Sequence, residues 1–192
     1  MLYRVVKGAF DAAFLADVAR FAQPLETVAA AVVENSPYDT RKCDLRWIKH
    51  GTRGFAALEK QIFAFLDREA VIDSRLCVLE DLQYTEYGPG AFHSWHIDAY
   101  KRVYNMYDTP LGNRFIGKKR KVSMSVLLNG ASEFDGGAFE VSMFPNGQNT
   151  VGSALADFTR AGDAAVFDAG LCHRVAPMTA GLRKSLVAWI CA

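Results

Sequence analysis

The period of the hydrophobic positions changes near residue 75 of this 192-residue chain. Before that point the spacing is helical. Phe10 to Ala19 is alanine-rich, with apolar residues three and four apart, and predicts an amphipathic helix. Leu25 to Glu34 reads the same way after Pro24, a residue favoured in a first helical turn. Phe55, Leu58, Ile62, Phe65 and Leu66 give a third helical stripe. Between these, Asp44 to Ile48 reads as a strand.

After Arg75 short strands alternate with turn signals. Leu76–Tyr87 is strand-like and stops at Gly88-Pro89-Gly90, and Phe92–Asp98 follows. Lys121–Leu128 sets Val122, Met124 and Val126 against Ser123, Ser125 and Leu127, and Asn129-Gly130 is a strong turn pair. Gly136-Gly137 precedes Ala138–Val141, and further strands are expected over Ala164–Phe167, Leu171–Ala176 and Arg183–Ile190. Short strands at this spacing predict a β-sandwich or barrel. The fold class expected is therefore mainly β, with the N-terminal helices packed on one outer face. Residues 1–192 read as a single domain, 1–75 as a helical support region and 76–192 as the β core.

Composition narrows the class. The chain is 51% hydrophobic and 22% charged, which suits a packed core. A net charge of +1 offers no general attraction to nucleic acid or anionic membrane. No stretch approaches the roughly 20 apolar residues that cross a bilayer, and Met1–Phe10 lacks a signal-peptide pattern. Cys43, Cys77, Cys172 and Cys191 form no CxxC pair, so reduced thiols and a cytoplasmic location are expected.

The candidate chemistry lies in Trp95-His96-Ile97-Asp98 and a distant His173. On a strand, residues i and i+2 share a face, so His96 and Asp98 reach toward one point. A second imidazole completes a set of two histidines and one carboxylate, which leaves coordination positions open and suits non-haem Fe(II) in oxygen chemistry. Arg183 and Ser185 are another i, i+2 pair, ten residues beyond His173. A guanidinium fork and a hydroxyl on one face make a carboxylate socket. His50 and His93 read as ordinary histidines, with His93, three before His96, expected on the opposite face.

The order of these motifs resembles the Fe(II)- and 2-oxoglutarate-dependent dioxygenases, and within them the prolyl 4-hydroxylase-type group. The resembling segments are Tyr87–Gly90 through Trp95–Asp98, Arg120–Ser123 to Leu128-Asn129, Phe134–Phe139, Ala161–Asp163 to Phe167, and His173–Pro177 to Trp189. They cover about residues 84–190. The resemblance implies a double-stranded β-helix (jelly roll) with iron near one mouth, held by His96, Asp98 and His173 as metal-ligating and catalytic residues. It implies 2-oxoglutarate and O2 as cosubstrates, with Arg183 gripping the far carboxylate of 2-oxoglutarate and Ser185 supporting it. Where the group often carries a tyrosine for 2-oxoglutarate, this chain has Leu127; Tyr87 or Tyr84 is left to take that place. The resemblance also implies hydroxylation rather than halogenation, because Asp98 is retained.

The reaction expected is hydroxylation of an unactivated C–H, with a prolyl residue of a protein or peptide as substrate. Alternatives are a free amino acid or other small metabolite, and a metal-binding cupin-like module without turnover. Ala99–Lys119 is long for a hairpin loop. Its Tyr100, Tyr104, Tyr107 and Phe115, with Lys101, Arg102, Arg114, Lys118 and Lys119, suggest a substrate lid. The basic run Lys118–Lys121 reads as a solvated face rather than a nucleic-acid patch.

Overall fold

The computed structural model describes residues 2–30, 40–99, 103–105 and 112–192. In chain order the elements are β1 (Tyr3–Val6), α1 (Ala12–Ala22), β2 (Val28–Ala29), β3 (Arg41–Lys42), β4 (Asp44–Ile48), α2 (Arg53–Arg68), β5 (Val78–Leu79), β6 (Leu82–Tyr87) and β7 (Phe92–His96). Then come β8 (Arg120–Leu127), β9 (Phe134–Gly136), β10 (Phe139–Ser142), β11 (Ser153–Ala154), β12 (Ala164–Asp168), β13 (Cys172–Val175), β14 (Met178–Gly181) and β15 (Arg183–Cys191).

Among the described residues the strands form a jelly roll of two facing antiparallel sheets. The major sheet runs β1-β12-β8-β15-β6-β4-β2, with β5 also on β15; the minor sheet runs β11-β10-β13-β7-β3; β14 and β9 form a separate ribbon. The alternation in β8 and β15 sorts the two faces of the major sheet. Val122, Met124, Val126, Leu186, Ala188 and Ile190 pack outward on the helices in one core. Leu127, with Leu45, Tyr87, Phe139 and Phe167, fills a second core between the sheets. Ser123, Ser125 and Ser185 share that inner face and are buried with it.

Both helices form where the apolar stripe and a cap agree. Asp11 accepts from Phe14 N at 2.9 Å and starts α1, which buries Phe14, Val18 and Ala22. Thr52 accepts from Phe55 N at 3.2 Å and starts α2, which buries Phe55, Leu58, Ile62, Phe65 and Leu66.

Two expectations are corrected. Leu25–Glu34 is not a helix where it is described: Val28–Ala29 pairs with β4, and residues 31–39 lie outside the described residues. Val28 and Ala29 are both exposed, so the apolar stripe had no helix partner to pack on. The segment before residue 75 is not only helical, since β1 to β4 join both sheets. Asn129-Gly130 lies at the bend after β8, where the Asn129 side chain donates to Leu182 O and accepts from Lys184 N, each at 2.7 Å, and so ties β8 to the start of β15.

Candidate active site

His96 is the last residue of β7, and Asp98 lies two beyond it, outside the strand. The amides of Asp98 and Ala99 both donate to Ala169 O, at 2.9 and 2.8 Å. Ala169 belongs to the turn between β12 and β13, so the same turn that anchors Asp98 leads into His173. Across the sheet, His173 stands directly opposite His96. The ligand-type atoms of His96, Asp98 and His173 all lie within 4.8 Å of one another. Nε2 of His96 is 3.8 Å from Asp98 Oδ1, and Nε2 of His173 is 3.6 Å from Oδ2.

Hydrogen bonds decide which ring nitrogens face this point. His96 Nδ1 lies 2.8 Å from Ser94 O, and His173 Nδ1 2.9 Å from Leu171 O. A carbonyl only accepts, so each Nδ1 carries the hydrogen and each Nε2 keeps a lone pair when the ring is neutral. Burial, with His173 and His93 nearby, pushes His96 well below its ordinary pKa. Burial raises the Asp98 carboxyl, but the combined pull of His173, His96 and Arg120 outweighs it and holds the value at about 2. Asp98 Oδ2 is buried without a well-formed hydrogen bond among the described residues, and the neighbouring Ser123 hydroxyl helps to hold the carboxyl down. Two imidazole lone pairs and an ionised carboxylate with one orphaned oxygen fit a divalent cation.

The second half of the site is Arg183. Its side chain is 2% exposed. Nη1 donates to Ser185 Oγ at 3.2 Å, whereas Nη2 is buried with no partner among the described residues. Burial pulls its pKa down, opposed by Tyr87. A buried guanidinium without a counter-ion is costly, so the arrangement fits an incoming carboxylate. Tyr87 pairs with Arg183 across the strands and places its ring 5.6 Å from the guanidinium carbon. Tyr84 does not reach this pocket; its hydroxyl donates to Glu86 at 3.0 Å and it packs in the core beneath the helices. Gly137, at φ +63°, allows the fit, because a Cβ there would lie 2.3 Å from Met178 Sδ and 3.1 Å from Arg183 Cδ.

His93 is not on the far face. Between β7 and β13 the register places His96 opposite His173 but His93 opposite Val175, so Ser94 and Trp95 together face Arg174 alone. This bulge inverts the alternation, and the His93 ring stacks on His96 with centroids 3.6 Å apart. A bulge has no local sequence signal here.

Sequence reasoning also missed a buried pair behind Asp98. Arg120 Nε and Nη2 grip Glu80 at 2.7 and 2.6 Å, while Nη1 donates to Asp98 O at 3.2 Å. Arg120 is thus not part of a solvated basic face. Tyr104 also donates to Glu80, at 2.6 Å, and Phe115 is core at 1% exposure. These two aromatics fasten the described parts of the 99–119 insertion to the body rather than facing a substrate. Tyr100, Lys101, Arg102 and Tyr107 lie outside the described residues.

A jelly roll presenting two imidazoles and a carboxylate beside an unpaired buried arginine has the architecture of a non-haem iron oxygenase. The sequence profile of the 2OG-Fe(II) oxygenase superfamily matches residues 82–191, and the chain belongs to that superfamily. It is therefore an oxidoreductase of a family that uses Fe(II), 2-oxoglutarate and O2. No curated protein matches the chain by sequence. Similar solved structures include the viral collagen prolyl hydroxylase of Paramecium Bursaria Chlorella virus-1, 16% identical, covering 100% of this chain and 97% of that one, with a TM-score of 0.63. A Pseudomonas putida prolyl-4-hydroxylase is 22% identical, over 98% and 91% of the two chains, with a TM-score of 0.63. The epimerase SnoN from nogalamycin biosynthesis is 18% identical, over 98% and 76%, with a TM-score of 0.65. At these identities the likeness is one of fold.

Proposed function

We propose that this protein is a hydroxylase of unactivated C–H bonds, in which His96, Asp98 and His173 hold Fe(II) and Arg183 with Ser185 binds the far carboxylate of 2-oxoglutarate. The observation that carries the reading is the pairing of one convergent metal-type cluster with one buried, unpaired guanidinium on the same inner surface. Iron and 2-oxoglutarate, when bound, supply the oxidation by O2. The chain's own residues supply the rest. The Nδ1 hydrogen bonds hold both imidazoles with Nε2 inward. Asp98 stays ionised at neutral pH and neutralises one unit of metal charge. The buried rings of Tyr87 and Phe158, 5.6 and 6.0 Å from the Arg183 guanidinium carbon, shield the carboxylate socket from water. Tyr87 contributes to that socket as a ring wall beside Arg183.

A prolyl group is the first substrate to test, since solved relatives of this fold include prolyl hydroxylases. A free amino acid or other small molecule is the second, favoured by the charge on Arg41 described below. Peptide or small-molecule substrates are the partners this reading calls for. A reducing compartment such as the cytoplasm suits its four unpaired cysteines.

The test is anaerobic addition of Fe(II) and 2-oxoglutarate. A visible charge-transfer band is expected in the wild type, lost in Asp98→Ala and weakened at equal cosubstrate in Arg183→Gln. A wild type that shows no band and releases no succinate in air removes the reading.

A further inference from the structure

The geometry points to a second anion site, at Arg41, and therefore to a substrate that carries a carboxylate; the inference rests on the hydroxylase reading above. Arg41 lies on β3 directly opposite His93 of β7. Directly paired residues of antiparallel strands share a face. His93 stacks on His96, so Arg41 stands on the inner face one strand away from the metal cluster. Its side chain crosses to the other sheet, where Nη1 donates to Gln83 Oε1 at 3.2 Å. Gln83 is 4% exposed and donates to Thr85 at 3.0 Å, so the amide is held in place for Arg41. The Arg41 Nε is buried and has no partner among the described residues. Its charge reaches inward, lowering the pKa of the Cys43 thiol and of Tyr87 against the effect of burial.

No carboxylate among the described residues pairs with Arg41. The neighbouring arginines are accounted for: Arg46 meets Glu86 at 2.8 Å and Arg120 meets Glu80 at 2.6 Å. Asp44 follows the inward Cys43 and is exposed on the other face. A divalent ion, Asp98, the two carboxylates of 2-oxoglutarate and Arg183 together carry no net formal charge. Among the described residues Arg41 is left as an uncompensated cation of the cleft, and a partly buried cation of this kind favours an anionic ligand. Next to Gln83 stands an apolar wall: Trp47, opposite Gln83 in the register, and Trp189, with ring centroids 6.1 Å apart. The substrate class this describes is a small apolar acid, or a peptide ending in a free carboxylate, bound through that carboxylate by Arg41 with its hydrocarbon part on the tryptophans.

The experiment measures substrate-stimulated succinate release with matched acids and amides: L-proline and L-prolinamide, L-leucine and L-leucinamide, and a peptide ending in proline as free acid and as amide. A peptide with internal proline and capped ends is included. The expected result is that the acid of any stimulating pair exceeds its amide at least tenfold in kcat/KM. Free amino acids and the free-acid peptide separate the two sources of the carboxylate. In Arg41→Gln the KM for the acid rises at least tenfold and the acid-to-amide ratio falls toward one, while Arg41→Lys recovers part of the preference. Thermal melts establish that the variants fold, and the wild-type ratio stands without them. Equal turnover of acid and amide, preference for the capped peptide, or 2-oxoglutarate consumption that no acid stimulates would overturn the inference and leave the hydroxylase reading in place. Absence of any 2-oxoglutarate consumption overturns both.

Discussion

His96 enters the folded chain as a neutral ring, and this gives the apoprotein a pH-dependent stability with a definite sign. Burial holds its folded pKa below the ordinary 6.5, so the unfolded chain takes up a proton first as the pH falls. Stability contributed by this group is present above 6.5 and is lost on acidification, at up to about 1.4 kcal/mol per pH unit. Asp98 acts in the same direction at lower pH, between 3.8 and about 2. Melts of apoprotein at pH 7.5 and 5.5 should show a fall in Tm that is shallower in His96→Gln; an equal fall would place the titration elsewhere. Behind the His96, Asp98 and His173 cluster, Glu80 is the counter-ion that lets Arg120 hold the Asp98 carbonyl. Glu80→Gln leaves that guanidinium buried and poorly paired, at a cost of about 3–5 kcal/mol. It should also weaken Mn(II) binding by about 10–100-fold in titration calorimetry. Lost stability with unchanged metal affinity would make the pair purely structural.

At the scale of elements, Gly137 and Gly147 differ in what they do. Gly137 lies where β9 ends, with Met178 and Arg183 where its side chain would be. Gly137→Ala should therefore raise the KM for 2-oxoglutarate at least tenfold. Gly147, at φ +52°, has open space around it. Gly147→Ala should cost only backbone strain, about 1–2 kcal/mol, with KM for 2-oxoglutarate unchanged. Equal effects in succinate-release assays would show that conformation, not the Arg183 seat, governs both positions. The elements themselves were largely legible. Asp44–Ile48 and the helix with Phe55, Leu58 and Ile62 were readable because burial there follows the local period. The bulge before His96 was not, because it arises from pairing with β13 and leaves no mark on β7 alone.

For the whole molecule, Asp163 is the clasp between the N-terminal segment and the jelly roll. Its fully buried carboxylate accepts from Gly8 N at 2.9 Å, Thr159 N at 3.1 Å and Arg160 N at 2.7 Å. It thereby ties the turn after β1 to the entry of β12, on which β1 is the edge strand. Asp163→Ala should cost about 3 kcal/mol and lower Tm by on the order of 10 °C, seen in calorimetry. A change below about 2 °C would mean the three amides find water instead. No helix among the described residues is long and apolar enough to cross a membrane.

What the sequence picked out by itself was the set His96, Asp98, His173 and Arg183, because their residue types and order stand out locally. It also determined the strand-rich half, because alternation is a local property. Only the tertiary structure decided that Asp98 is positioned by Ala169, that His93 turns inward, that Tyr104 and Phe115 anchor instead of facing substrate, and that Arg41 reaches Gln83. Each of these depends on which strands become neighbours, and that follows from the burial of two whole sheet faces rather than from any stretch of the chain.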